Sequence, residues 1–124
     1  MNKILVVDDD KAFLQMVVTL LGDAGFQVGA ANSGQSALRQ LADDGPWDLV
    51  LCDILMPEQD GIETIQAILK ANNTQKIIAM SGGGHYLPSY SALELAQAFG
   101  FVETIFKPFH EKQLLVLIDK ILKS

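Results

Sequence analysis

Runs of four to six apolar residues alternate with segments of helical period along the whole chain, beginning at Ile4–Val7 and ending in the stripe Leu114, Leu117, Ile118, Ile121. That alternation is the pattern of repeated strand and crossover-helix units around a parallel sheet. Strands are expected at 4–8, 27–31, 49–53, 76–81 and 104–106, with 27–31 the weakest and LVLCD (49–53) too uniformly apolar for an edge. A helix follows each one. The first carries Phe13, Leu14, Val17, Leu20 and Leu21 before Gly25, and the second carries Ala37, Leu38 and Leu41 over 36–42, closed by the turn DDGPW (43–47). The third, near 61–71, has Ile62, Ile65 and Leu69 in register; the fourth turns Ala92, Leu93, Ala96 and Phe99 inward, and the fifth uses the closing stripe.

At 124 residues, 49% of them hydrophobic, the chain fits one domain with a core of its own. A formal charge of −6 disfavours nucleic acid or an anionic membrane surface, both of which are bound through Lys and Arg clusters, and favours a protein or a cation. The lone Cys52 excludes an internal disulfide and suits a reducing compartment. No apolar run approaches the length of a membrane span, and the one at 4–7 is too short for a signal peptide. The expectation is a cytoplasmic protein with neither nucleic acid nor membrane as direct partner.

Right-handed crossovers bring the carboxyl ends of parallel strands to one edge of a sheet, where open doubly wound sheets bind ligands. The chain is most polar at those ends. Strand one runs into Asp8, Asp9 and Asp10, strand three ends in Asp53, strand four in Ser81 and strand five in Lys107. With strand order 2-1-3-4-5, strands one and three are neighbours and at least three carboxylates crowd together, a repulsion that calls for a cation. Magnesium, which takes oxygen ligands and is content with one or two carboxylates plus waters and a phosphoryl oxygen, fits Asp9 and Asp53 better than calcium. Asp53 is then a candidate nucleophile, with Ser81 and Lys107 placed to hold the oxygens of an incoming phosphoryl group.

Other tempting residues have plainer readings. Asp10 reads as an exposed residue favoured by a helix N-terminus, and not as a ligand. Gly82, Gly83 and Gly84 lack the Lys-Ser/Thr of a phosphate loop and read as a mobile loop. His85 and His110 have no partner at metal spacing and read as exposed or capping residues; Cys52 reads as a small core residue.

The stretches VVDDD (6–10), LVLCDILMPEQDG (49–61), IIAMSG (77–82) and FKPF (106–109) resemble the receiver domain of two-component response regulators. The resemblance covers the whole chain. It implies a phosphoacceptor at Asp53, an acidic pair at Asp8 and Asp9, a hydroxyl residue at Ser81 and a lysine at Lys107. It further implies that Asp9 binds magnesium directly and Asp8 through water, that Leu55 lends a backbone carbonyl, and that the bond between Lys107 and Pro108 is cis. Two departures stand out. Thr104 occupies the place of the family's Tyr or Phe three residues before the lysine, and the loop GGGHYLPSY (82–90) is longer than usual. Both lie on the output side, where the 82–90 loop and the start of the fourth helix, and not an aromatic at 104, are expected to carry most of the response, with Phe106 able to reach part of the space beneath that helix.

Taken together, these readings lead to an α/β, flavodoxin-like (βα)5 receiver domain over residues 1–124 with no output domain. It is expected to be a phosphorelay signalling protein that takes a phosphoryl group from a histidine kinase or histidine phosphotransfer protein onto Asp53 with Mg2+, switches contact with a downstream protein target, and is no enzyme toward external substrates. Two alternatives differ in kind. A haloacid-dehalogenase-like phosphatase needs an acid two residues after its nucleophile, where this chain has Leu55. A receiver-like scaffold would bind partners without phosphorylation and would have no need of the intact five-residue set.

Overall fold

The computed structural model describes residues 2–54, 61–82 and 103–123. Its elements are β1 (Lys3–Val7), α1 (Lys11–Asp23), β2 (Gln27–Ala31), α2 (Gly34–Asp43), β3 (Leu49–Asp53), α3 (Gly61–Ala71), β4 (Ile77–Gly82), β5 (Glu103–Lys107) and a C-terminal helix (Glu111–Leu122). The five strands form one parallel sheet in the order β2-β1-β3-β4-β5, as expected. The expected fourth helix with Ala92, Leu93, Ala96 and Phe99, the loop beyond Gly82 with His85, and Leu55 lie outside the described residues.

Alternate side chains of a strand point to opposite faces, so uniformly apolar strands build two cores. Leu5 and Val7 of β1, Val50 and Cys52 of β3, and Ile77 and Ala79 of β4 meet Ala37 of α2, Ile65 and Ile68 of α3, and Trp47 on one face. On the other, Ile4, Val6, Leu49, Leu51, Ile78, Met80 and Ile105 meet Leu14, Val17 and Leu21 of α1 and Leu114, Ile118 and Ile121 of the C-terminal helix. Each such large side chain contributes about 1.5–3 kcal/mol on burial. Cys52 is fully buried in this packing, in keeping with its reading as core. Among the described residues no helix is long and apolar enough to cross a membrane.

Helix starts follow local side-chain chemistry. Asp10 caps α1 by accepting from the N–H of Phe13, Ser33 caps α2 by accepting from that of Ser36, and the ring Nδ1 of His110 accepts from the N–H of Lys112 at the C-terminal helix. Asp10 thus sits exposed at a helix N-terminus as read, where it also serves as the cap, and His110 holds the capping position read for it.

The inward face of α3 is broader than the expected stripe: Ile65 is buried and Leu69, partly buried, packs against the same core, with Thr64 and Ile68 buried beside them. The side chain of Ile62 lies outside the described residues. Strand bounds shift by a residue as well: β1 stops before Asp8, β4 reaches Gly82, and β5 spans Glu103–Lys107.

Candidate functional site

Register brings the acidic residues together. Val7 pairs with Cys52 across the β1–β3 ladder, so the chain delivers Asp8 and Asp53 side by side at the carboxyl edge. Asp8 is fully buried and Asp53 is 5% exposed, whereas Asp9 faces solvent. One carboxylate oxygen from each of Asp8, Asp9 and Asp53 lies within 4.8 Å of the other two. A buried carboxylate with no compensation is costly, and each of the two buried ones has a cation beside it. Lys107, last residue of β5, sends its ammonium past the end of β4 to within 2.7 Å of Asp8 Oδ2 and 3.4 Å of Asp53 Oδ2. The other oxygen of Asp8 accepts the backbone N–H of Asp10 at 2.9 Å.

Four of the expected residues, Asp8, Asp9, Asp53 and Lys107, therefore converge. Ser81 is placed by its backbone, opposite Phe106 in the β4–β5 ladder and one residue beyond the pairing of Asp53 with Met80. Leu55 falls outside the described residues. The bond between Lys107 and Pro108 is cis, as the resemblance implied. Lysine had been expected to serve an incoming phosphoryl group; in this state it is bound most closely to Asp8, so part of the relief of repulsion comes from Lys107 itself.

Three contacts at the site had no clear signal in the sequence. The ring of Phe13 lies under the Lys107 ammonium, 4.1 Å from it to the centroid, and Phe109 meets Phe13 edge to face at 5.7 Å. Gly61, first residue of α3, abuts the backbone beneath the cluster: a Cβ there would lie 2.0 Å from the carbonyl oxygen of Asp53 and 2.4 Å from Cα of Ile54. Motif FKPF contained Phe109, and Gly61 closed another motif, but Phe13 was indistinguishable from its neighbours in an apolar helical stripe.

The cluster suits a hard divalent cation. All its donors are carboxylate oxygens, and three carboxylates against one ammonium leave negative charge to spare. Among the described residues, two clefts of about 240 and 250 Å3, sharing Trp47, Asn72 and Gln75, open at the amino-end edge of the sheet, away from this cluster.

Comparison with known proteins agrees with the geometry. Residues 4–119 match the family described as the response regulator receiver domain. The transcriptional regulatory protein CpxR of Escherichia coli K12 is 37% identical over 123 residues, which is 99% of this chain and 50% of that protein; a CpxR homolog of Haemophilus influenzae is 36% identical with 51% of its length covered. The chain thus spans about half the length of these curated relatives. Among solved structures, a CheY-like receiver domain protein of Methanospirillum hungatei superposes with a TM-score of 0.85 at 28% identity, covering 99% of this chain and 94% of that one. The response regulator TrrA of Thermotoga maritima, solved in complex with Mg(2+)-BeF, superposes with a TM-score of 0.82 at 30% identity, covering 98% and 99%.

Proposed function

We propose, because this chain belongs to the response regulator receiver domain family, that Asp53 is the phosphoacceptor of a two-component signalling pathway. The observation that carries the reading is the placement of Asp53: a nearly buried carboxylate on the ligand edge of the sheet, 3.4 Å from the Lys107 ammonium and grouped with Asp8 and Asp9.

In the proposed step an oxygen of the Asp53 carboxylate forms a bond to phosphorus as the P–N bond of a phosphohistidine breaks, and the departing imidazole nitrogen keeps the electron pair. The donor is a histidine kinase or a histidine phosphotransfer protein. Asp8, Asp9, Asp53 and the carbonyl of Leu55 would hold Mg2+, which when bound supplies positive charge for the carboxylates and for the phosphoryl oxygens. Lys107 needs only a small shift from Asp8 to accept one of those oxygens as partner, and the hydroxyl of Ser81 donates to another. Because Lys107 then exchanges a buried carboxylate for a phosphoryl oxygen, phosphorylation rewrites the ion pairing between β1, β3 and β5, and that change reaches a downstream protein as altered contacts. The surplus of negative charge supports a protein as the direct target.

Intact-mass measurement with a small-molecule phosphodonor tests the proposal. Wild type with magnesium is expected to gain one phosphoryl group, and Asp53→Ala or chelation of the metal to prevent it; uptake by Asp53→Ala, or uptake indifferent to chelation, would refute it.

A further inference from the structure

Among the described residues the ammonium of Lys107 has three neighbours, and two of them are carboxylates. Asp8 Oδ2 stands at 2.7 Å and Asp53 Oδ2 at 3.4 Å; against it lies the face of the Phe13 ring, with its centroid at 4.1 Å. A lysine stem is flexible, so the place of its charge is imposed by what encloses it. The ring face attracts a cation through its quadrupole and also keeps water from the head group of a side chain that is 19% exposed as a whole. Phe13 is itself fixed from two directions. The edge-to-face contact with Phe109, rings inclined by 80°, ties it to the segment just after Lys107. Its N–H donates to Asp10 Oδ1 at 3.1 Å while the N–H of Asp10 donates to Asp8 Oδ1 at 2.9 Å. The carboxylate that binds Lys107 and the ring that lies against it thus belong to one hydrogen-bonded turn at the start of α1.

We infer that Phe13 is a positioning residue for the proposed phosphoryl transfer: it holds the Lys107 ammonium within reach of Asp53 and shields it from water. The inference rests on the reading of Asp53 as phosphoacceptor. Without the ring, the ammonium gains access to solvent and retreats from Asp53, the more distant of its two partners, so the charge waiting for the phosphoryl group is displaced and screened.

The test has two readouts. In unphosphorylated wild type the ε-methylene protons of Lys107 should be shifted upfield of the other lysines by the ring current; the shift should vanish in Phe13→Leu and persist in Phe13→Tyr. Phosphorylation by phosphoramidate at low donor concentration should slow about two- to five-fold in Phe13→Leu and recover in Phe13→Tyr. A Lys107 resonance in wild type that coincides with those of surface lysines overturns the inference without any variant, as does wild-type speed in Phe13→Leu or a Phe13→Tyr as slow as Phe13→Leu. If wild type takes up no phosphoryl group, the functional reading fails, and the Lys107 resonance still decides the role of Phe13.

Discussion

Lys107 joins three strands through one side chain. It ends β5, yet its closest partner is Asp8, just after β1, and its second is Asp53 at the end of β3. Replacing it in Lys107→Met would leave the carboxylate of the fully buried Asp8 with the Asp10 N–H as its one remaining partner among the described residues, and would set Asp8 and Asp53 against each other. Removing one member of a buried pair strands the other, which outweighs the apolar gain of the methionine stem. Because the lysine is itself partly solvated, the loss expected in metal-free buffer is about 1–3 kcal/mol, at the lower end for such pairs. Denaturant melts of the two proteins check it; equal stability would mean that the 2.7 Å pair contributes nothing. The residue types at this site were legible in the sequence because each stands at the end of an apolar run. The pairing was not, since a lysine's reach across an intervening strand depends on side-chain conformation and not on spacing. Phe13 was hidden for a simpler reason: an aromatic that faces a cation and one that faces the core carry the same signal in a helical stripe.

At the scale of elements, the site is a meeting of strand ends with two helix starts. α1 begins from Asp10, whose backbone N–H binds the Asp8 carboxylate and whose side chain caps the helix. α3 begins at Gly61, pressed against the carbonyl of Asp53. Only a residue without a Cβ fits there, because the atom 2.0 Å away would be backbone and cannot rotate aside. Gly61→Ala should therefore push the start of α3 off the end of β3. A cost of about 1–3 kcal/mol is expected, as for other overpacked sites, despite alanine's better helix propensity. Slower phosphorylation should accompany it, since the displaced backbone carries Asp53. Melts and phosphodonor kinetics on one sample would check both effects; a variant as stable and as fast as wild type would show that the close approach is slack. Strand and helix order could be read from the alternation of apolar runs with helical periods, whereas the full width of the buried face of α3 could not: Ile65 and Leu69 stand out by spacing, but the burial of Thr64 and Ile68 beside them depends on how closely the helix packs on the sheet.

For the molecule as a whole, two cores on opposite faces of one parallel sheet fix the strand ends, and the strand ends gather the charges. The apolar residues place the site as surely as the polar ones compose it, which is why the pattern of both could be followed from sequence to edge. The proposal that this edge carries a phosphoryl group on Asp53 is open to borohydride reduction, which converts an aspartyl phosphate to homoserine so that tandem mass spectrometry of the digested protein reads the position. After treatment with phosphodonor and magnesium, homoserine is expected at position 53 and nowhere else; homoserine at 8, 9 or 10, or none in protein that has gained phosphoryl mass, would show that Asp53 is not the phosphoacceptor.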